Sequence, residues 1–366
     1  MTRRGRRKKR VANQVRQLPW REVINPYAPA EVLDTEQVET IIETALELLA
    51  SQGMNFLEGS SRDLLRNAGA TVDGEVVRFD PDFVRETIAH APAEFGLRAR
   101  NPAHDLVIGG NRVVFSSVGG PAFCSDLDNG RRPGSYAEMC DYLKLVQSLN
   151  ILHQEGGGAF EALDLPATTR HLDLYLAQWR LLDKNCQAYA LGRERTVDAI
   201  EMACIALDTD RDGLAQRPAL LAIINTNSPM QLDVQMTEAV LELAAAGQAC
   251  CITPFTLAGS MSPATLAGTL MQQTAEALAV AVLAQVVRPG APILYGSFAS
   301  NVDMQSGAPA LGTPEYTKAA QASGQIARRL GLPFRSSNTT VSNCPDAQAA
   351  FESQMSLWGS VMGHAN

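Results

Sequence analysis

The sequence predicts an α/β fold: a TIM (β/α)8-type barrel lacking its last strand, preceded by an N-terminal α+β extension. Three observations predict it. From residue 112 onward, short apolar runs alternate with helical apolar periodicity seven times. In each unit the polar, Gly-rich elaboration follows the strand-like run, as in barrels whose functional loops lie at the carboxyl ends of the strands. No GxGxxG follows the first strand. Gly119-Gly120 and Gly156-Gly157-Gly158 have other spacings, which disfavours the doubly wound open sheet.

Residues 1–30 read as a basic, extended arm, 31–111 as the extension and 112–366 as the barrel. The head MTRRGRRKKR holds seven Arg/Lys and no acid, within a chain of net charge −8. The body is therefore acidic, which argues against a nucleic-acid-binding surface on the fold. A run like the head is most often a solvated terminus. It has no apolar h-region, and no segment reaches 18 uncharged apolar residues, so neither a secretory signal nor a membrane span is expected. The nearest candidate, 264–287, is interrupted by Gln272, Gln273, Thr274 and Glu276.

Within the extension, Val38, Ile41, Ile42, Ala45, Leu46, Leu48 and Leu49 have helical spacing over 35–50. Ser60-Ser61 reads as the cap of a second helix, which Gly69 stops. A hairpin is expected over 71–79 around Asp73-Gly74, and a third helix over 81–89. Alternation over 95–100 and 106–114 predicts two further strands, with a turn at Gly109-Gly110-Asn111.

The seven barrel strands are expected at 113–118, 151–154, 187–191, 220–225, 249–253, 292–295 and 334–336. The helices that follow them are expected at 136–149, 170–182, 195–206, 234–246, 264–287, 314–330 and 346–362. Val113, Ile151, Tyr189, Ile223, Ile252, Ile293 and Phe334 should then sit on neighbouring parallel strands. The sixth strand opens into an 18-residue loop, Gly296 to Thr313, long enough to be a binding loop. The pattern stops where an eighth strand would start, which predicts a truncated chain with the first and seventh strands not directly paired.

The seven cysteines (124, 140, 186, 204, 250, 251, 344) are odd in number and irregularly spaced, which suggests free thiols in a reducing, cytoplasmic compartment. No CxxC or HExxH occurs, and no metal ligand set is assigned. Three groups of loop residues stand out. Asp126 and Asp128 lie near Arg131 and Arg132, which is a solvated ion-pair set or a buried anchor. Phe123, Tyr189, Phe255, Tyr295 and Phe298 lie at strand ends, where most barrel aromatics are core but a cluster binds a quaternary ammonium by cation–π attraction. His364 follows the last helix and, at a top rim, would shuttle a proton.

The segments YGSFASNVDMQSGAPALGTPEY, GQIARRLGLPFRSSN, DAQAAFESQMSLWGSVMGHAN, ITPFTLAGSMSP and RARNPAHDLVIGG resemble the trimethylamine/quaternary-amine corrinoid methyltransferase family. The likeness covers essentially the whole chain. It implies a barrel that moves a methyl group from a methylated amine to the Co(I) of a separate corrinoid (cobalamin) protein, with no cofactor held tightly by this chain. It also implies a homo-oligomer, and members continue past GHAN, which accords with truncation. The trimethylamine enzymes carry pyrrolysine. This sequence shows only ordinary residues and so resembles the non-pyrrolysine branch, which acts on glycine betaine and related quaternary amines. The alternatives are a trimethylamine enzyme ending at a pyrrolysine codon, an inactive fragment, or a non-catalytic ligand-binding barrel.

For such a reaction the site residues are expected to be Asp126 as anchor of the cationic nitrogen and His364 at the rim. Phe123, Tyr189, Asn225, Phe255, Tyr295, Phe298 and Asn301 would line the pocket. Arg335, the Asn side chains and the 296–307 backbone would offer donors to a substrate carboxylate.

Overall fold

The structure is a computed structural model, and it describes residues 16–366. The seven βα units are present. Ser116 bridges Gln154 in parallel, Gln154–Glu155 pairs Asn185–Cys186, and Gln187 bridges Leu221. Leu221–Ile224, Ala249–Ile252, Ile293–Gly296 and Phe334–Arg335 follow as one four-stranded parallel sheet. Every link is parallel and joins consecutive units, which is barrel order.

Each strand is followed by a helix: Tyr136–Ser148, Arg170–Leu181, Gly192–Ala206, Val234–Ala245, Leu266–Val287, Pro314–Arg329 and Ala347–Met362. Their starts follow local chemistry. Ser135 and Glu138 form a capping box, while Asp233, Thr265, Thr313 and Asp346 each accept a backbone N–H of the first turn.

The first three strands differ in detail from the expected spans. Arg112–Val113 pairs antiparallel with Val23–Ile24, leaving Ser116 as the parallel contact of the first unit. Ile151 is 56% exposed and lies before the strand, which begins instead at the polar pair Gln154–Glu155. Tyr189 lies beyond Asn185–Cys186. The 18-residue loop contains Ser300–Asn301, which pairs with Leu257–Ala258, and a bridge from Val302 to Pro309. In the extension, the helix Gly59–Ala68 is capped by Glu58, whose carboxylate takes the Ser60 and Ser61 N–H groups. Ser60 and Ser61 are therefore the first turn and not the cap.

The extension meets the barrel in two places. The helices Thr35–Ser51 and Pro81–Ile88 pack on Leu266–Val287, and Met54–Phe56 pairs in parallel with Gln231–Leu232 of the fourth unit's loop. That explains the composition of Leu266–Val287. The helix is long and apolar enough to cross a membrane, yet most of it is buried by neighbours on every side. Secondly, the hairpin Glu94–Leu97/Leu106–Gly109 closes the barrel floor. Phe95, Leu97, Leu106 and Ile108 form one apolar cluster with Leu221, Ala249, Cys251 and Leu294.

Residues 17–33 form a strap from the first unit to the last. Gln17 bonds Ser148 and Asn150, and the Arg21 carbonyl meets His153. Asn25 donates to the Val361 carbonyl, and Val32 and Leu33 donate to Gln325. Asn366 sits between the seventh and first strands. It exchanges bonds with the Phe334 backbone (2.8 and 3.0 Å) and donates to the carbonyls of Gly110 and Arg112. Among the described residues, those two strands make no direct bond to each other.

Candidate active site at the barrel mouth

Side-chain direction along each strand decides what reaches the interior. Leu221, Cys251 and Leu294 point inward to the floor. Their neighbours Ala222, Cys250, Ile293 and Tyr295 belong to the cluster under the helices. Above the floor the wall is polar. Gln154 donates to Asn185 (2.5 Å), and Gln187 reaches both Gln154 (3.2 Å) and the Ser116 hydroxyl (3.3 Å).

At the mouth, Tyr189 donates its hydroxyl to Glu161 (2.5 Å), which Arg170 holds from the other side (2.9 Å). Burial and the Glu161 carboxylate push the Tyr189 hydroxyl up to about 12. The Arg195 guanidinium lies 5.5 Å from the ring centre. Across the mouth, Phe255 and Phe298 have ring centres 5.0 Å apart, and Phe298 meets Tyr316 edge-on at 6.1 Å. Asn225 is exposed directly after the fourth strand, and Asn301 accepts from Thr313. Behind Tyr189 lies a cavity of about 20 Å³ lined by Gly157, Glu161 and His171, room for one water and no more.

Arg335 ends the seventh strand. Phe334 packs outward against Tyr295, so Arg335 points inward. Its charge acts on two neighbours. It opposes the effect of burial on the Cys251 thiol and on the Tyr316 hydroxyl, both of which burial raises. Among the described residues, no carboxylate lies within ion-pair distance of it, although the side chain is half-buried.

Three buried glutamates fasten the mouth loops from behind. Glu155 accepts from Gly157 N–H (2.9 Å), Gly158 N–H (2.8 Å) and Gln178 (2.6 Å). Glu276 takes Thr226, Ser228 and Met230 of the fourth loop, and Glu352 takes the N–H groups of Val341 and Ser342 in the seventh. Sequence reasoning missed them as loop holders. The signal available for Glu276 was its place as the one acid in an apolar helix.

Several expected site residues are engaged in other contacts or lie off the mouth. Tyr295 is fully buried behind the strand, bonded to Gln273 (3.0 Å) and Thr274 (2.9 Å) of the neighbouring helix. His364 lies at the opposite end of the barrel. A residue between a helix and the next strand position belongs to the floor side, and its Nε2 meets the Tyr27 carbonyl of the strap at 2.8 Å. Asp126 is the exposed start of a tight turn in the hairpin Cys124–Asp126/Gly130–Arg132. It accepts from the Asp128 and Asn129 N–H groups and pairs with Arg132 at 2.6 Å. Phe123 flanks that hairpin under the Arg131 guanidinium, 3.8 Å from the ring centre. An Asp126→Asn variant is accordingly expected to keep its substrate KM within about twofold, since an exposed ion pair of this kind is screened by solvent and engaged within its own hairpin. Steady-state kinetics check it.

The family described as trimethylamine methyltransferase (MTTB) matches residues 1–366. The chain belongs to that family. A glycine betaine methyltransferase of Desulfitobacterium hafniense (strain Y51) is 37% identical over 336 residues, which is 92% of this chain and 70% of that protein. A proline betaine:corrinoid methyltransferase of Eubacterium limosum is 27% identical, over 91% of this chain and 70% of its own length. The trimethylamine methyltransferase MttB of Methanosarcina barkeri is 25% identical over 91% and 68%. A solved Methanosarcina barkeri monomethylamine methyltransferase (MtmB) aligns with TM-score 0.49 and 10% identity, over 91% of this chain and 75% of that one. Within this trimethylamine methyltransferase family member, Tyr189, Asn225, Phe255, Phe298, Asn301 and Arg335 lie at or beyond the carboxyl ends of their strands, while Tyr295 is buried behind its strand and His364 lies on the floor side.

Proposed function

We propose that this chain transfers a methyl group from a carboxylated quaternary amine of the glycine betaine type to the cobalt of a corrinoid protein. The observation that carries the reading is Arg335, an inward, half-buried guanidinium with no carboxylate partner among the described residues. A substrate carboxylate suits such a group, because a guanidinium fork binds two carboxylate oxygens at once. Phe255 and Phe298 supply aromatic faces for the trimethylammonium group on the same rim. The corrinoid supplies the nucleophile.

What remains for this chain is binding, orientation and exclusion of water. A quaternary nitrogen leaves as a neutral amine, so no residue has to protonate it. The mouth accordingly holds aromatics and amides, with Arg335 as an arginine that has no carboxylate within ion-pair distance among the described residues. A floor closed by Phe95, Leu97, Leu106 and Ile108 leaves the mouth as the approach for the methyl acceptor.

The deciding experiment compares glycine betaine with trimethylamine as donors to one Co(I) corrinoid protein. Faster transfer from glycine betaine is expected, and faster transfer from trimethylamine overturns the reading. A Phe298→Ala variant should raise the glycine betaine KM about tenfold, from a lost desolvated cation–π contact of ~1–2 kcal/mol. Kinetics at fixed acceptor concentration measure it.

A further inference from the structure

A histidine whose two ring nitrogens are both engaged has its protonation fixed by its partners. His153, just before the second strand and 1% exposed, is such a residue. Its Nδ1 accepts the Phe115 N–H at 3.0 Å, so that nitrogen carries no hydrogen. Its Nε2 lies 3.0 Å from the Arg21 carbonyl of the strap, to which it can only donate. The ring is therefore neutral, with its hydrogen on Nε2. A second proton has only Nδ1 to go to, where it would meet the Phe115 N–H donor against donor.

The ring joins the strap to the first unit. Phe115 stacks on it with ring centres 6.0 Å apart, and Trp20 of the strap meets it edge-on at 5.7 Å. Trp20 also packs over His104 at 4.8 Å and against the apolar cluster of the floor. Charged groups approach from each neighbouring element. His104 is held by Asp183 at 2.9 Å, and buried Lys184 donates to the carbonyls of Val146 (2.8 Å) and Leu149 (2.7 Å). On the strap, Glu22 is taken by Arg112 at 2.7 Å. Glu155, two residues along from His153, is held by Gly157, Gly158 and Gln178. Among the described residues, no carboxylate lies within ion-pair distance of the His153 ring. Burial lowers its pKa, the Arg21 carbonyl opposes that in part, and the charge of Lys184 adds to it.

We propose that His153 is a proton-sensitive clasp that holds the middle of the strap on the barrel floor. A proton on Nδ1 costs the ring its bond from Phe115, and the ring keeps that proton only by turning out of its seat. The Arg21 carbonyl and the Trp20 edge then lose their partner, and residues 20–22 lift from the floor. Val23 and Ile24 stay paired with Arg112–Val113, and Asn25 and Gln325 keep the rest of the strap on the last units. The sign follows from the two states. A freed imidazole has a pKa of about 6.5, and the clasped one takes its proton less readily. The clasp is therefore fully closed above about pH 7 and weakens by up to about tenfold per pH unit below ~6.5. It does not depend on which amine the mouth binds.

The test is hydrogen exchange of the Phe115 amide, whose acceptor is the His153 ring, measured at pH 7.5 and 5.5 and corrected for the intrinsic pH dependence of exchange. In the wild-type chain its protection should fall about five- to tenfold on acidification, while the helix Leu266–Val287 changes by less than about twofold. In His153→Gln the carboxamide oxygen can accept the Phe115 N–H and its NH2 can donate to Arg21, yet the group takes no proton. Its protection should stay within about twofold between the two pH values. A wild-type chain with no pH response overturns the proposal, as does a His153→Gln chain that responds like the wild type. Should His153→Gln misfold or leave Phe115 unprotected at pH 7.5, His104→Gln decides, since it removes the other histidine against Trp20. A retained response supports His153, and a lost one assigns the switch to His104 and overturns the proposal.

Discussion

An Arg335→Ala variant is expected to raise the KM for glycine betaine by about 30- to 100-fold, the equivalent of a lost charge-assisted bond of ~2–3 kcal/mol. Arg335 is inward, half-buried and without a carboxylate partner among the described residues. Its removal therefore takes away a substrate contact and breaks no internal ion pair. Arg335→Lys should recover part of the loss, because a point charge replaces a fork. Choline, a quaternary amine without the carboxylate, is the control. Its binding should change by less than about twofold in either variant. If choline and glycine betaine weaken together, Arg335 supports the fold of the mouth and the carboxylate assignment fails.

A Leu97→Ala variant should lose about 2–5 kcal/mol of stability, the cost of a cavity in a tightly packed site. Leu97 is 1% exposed and fills the barrel floor together with Leu106, Leu221 and Leu294. For a chain of this size the melting midpoint should fall by about 3–7 °C. The folded fraction should retain its KM, because the floor lies under the polar layer of Gln154, Asn185 and Gln187 and away from the mouth. A Leu97→Ala protein that melts like the wild type would mean that the hairpin is not a packed plug.

Much of the barrel was legible because seven apolar runs and seven helical periods are local signals. Leu221–Ile224, Ala249–Ile252 and Ile293–Gly296 lie within two residues of their expected bounds, since each is a run of β-formers between breakers. The second strand was displaced for a physical reason. Its residues Gln154 and Glu155 are polar and satisfied by Asn185, Gln178 and loop N–H groups, so apolarity pointed to Ile151. The first strand was misjudged because its partner, Val23–Ile24, is some ninety residues away in sequence. At the site, Tyr295 shows the limit of pattern reading. In a strand buried on both faces the sequence does not say which residues point inward. Arg335 ends its strand, and Phe255 and Phe298 follow theirs within three residues, positions that the strand pattern itself indicates. Glu155 and Glu276 hold loops that no local pattern connects to them.

The strap has a consequence for how the chain assembles. Asn25 bonds the carbonyl of Val361, 336 residues onward, and Gln325 secures Val32 and Leu33 from almost as far. These contacts form only after the sixth and seventh units have emerged from the ribosome, so residues 25–33 are secured long after they are synthesised. Closing so long a loop adds only ~0.6 kcal/mol per doubling of its length, but contacts of such sequence separation slow folding. During that interval the floor side of the nascent barrel exposes His153 and the Val113 edge, which the strap later covers. Unpaired edges of this kind are where multi-unit chains associate wrongly. The interval before the strap docks is therefore the step at which chaperone dependence and aggregation during expression should concentrate.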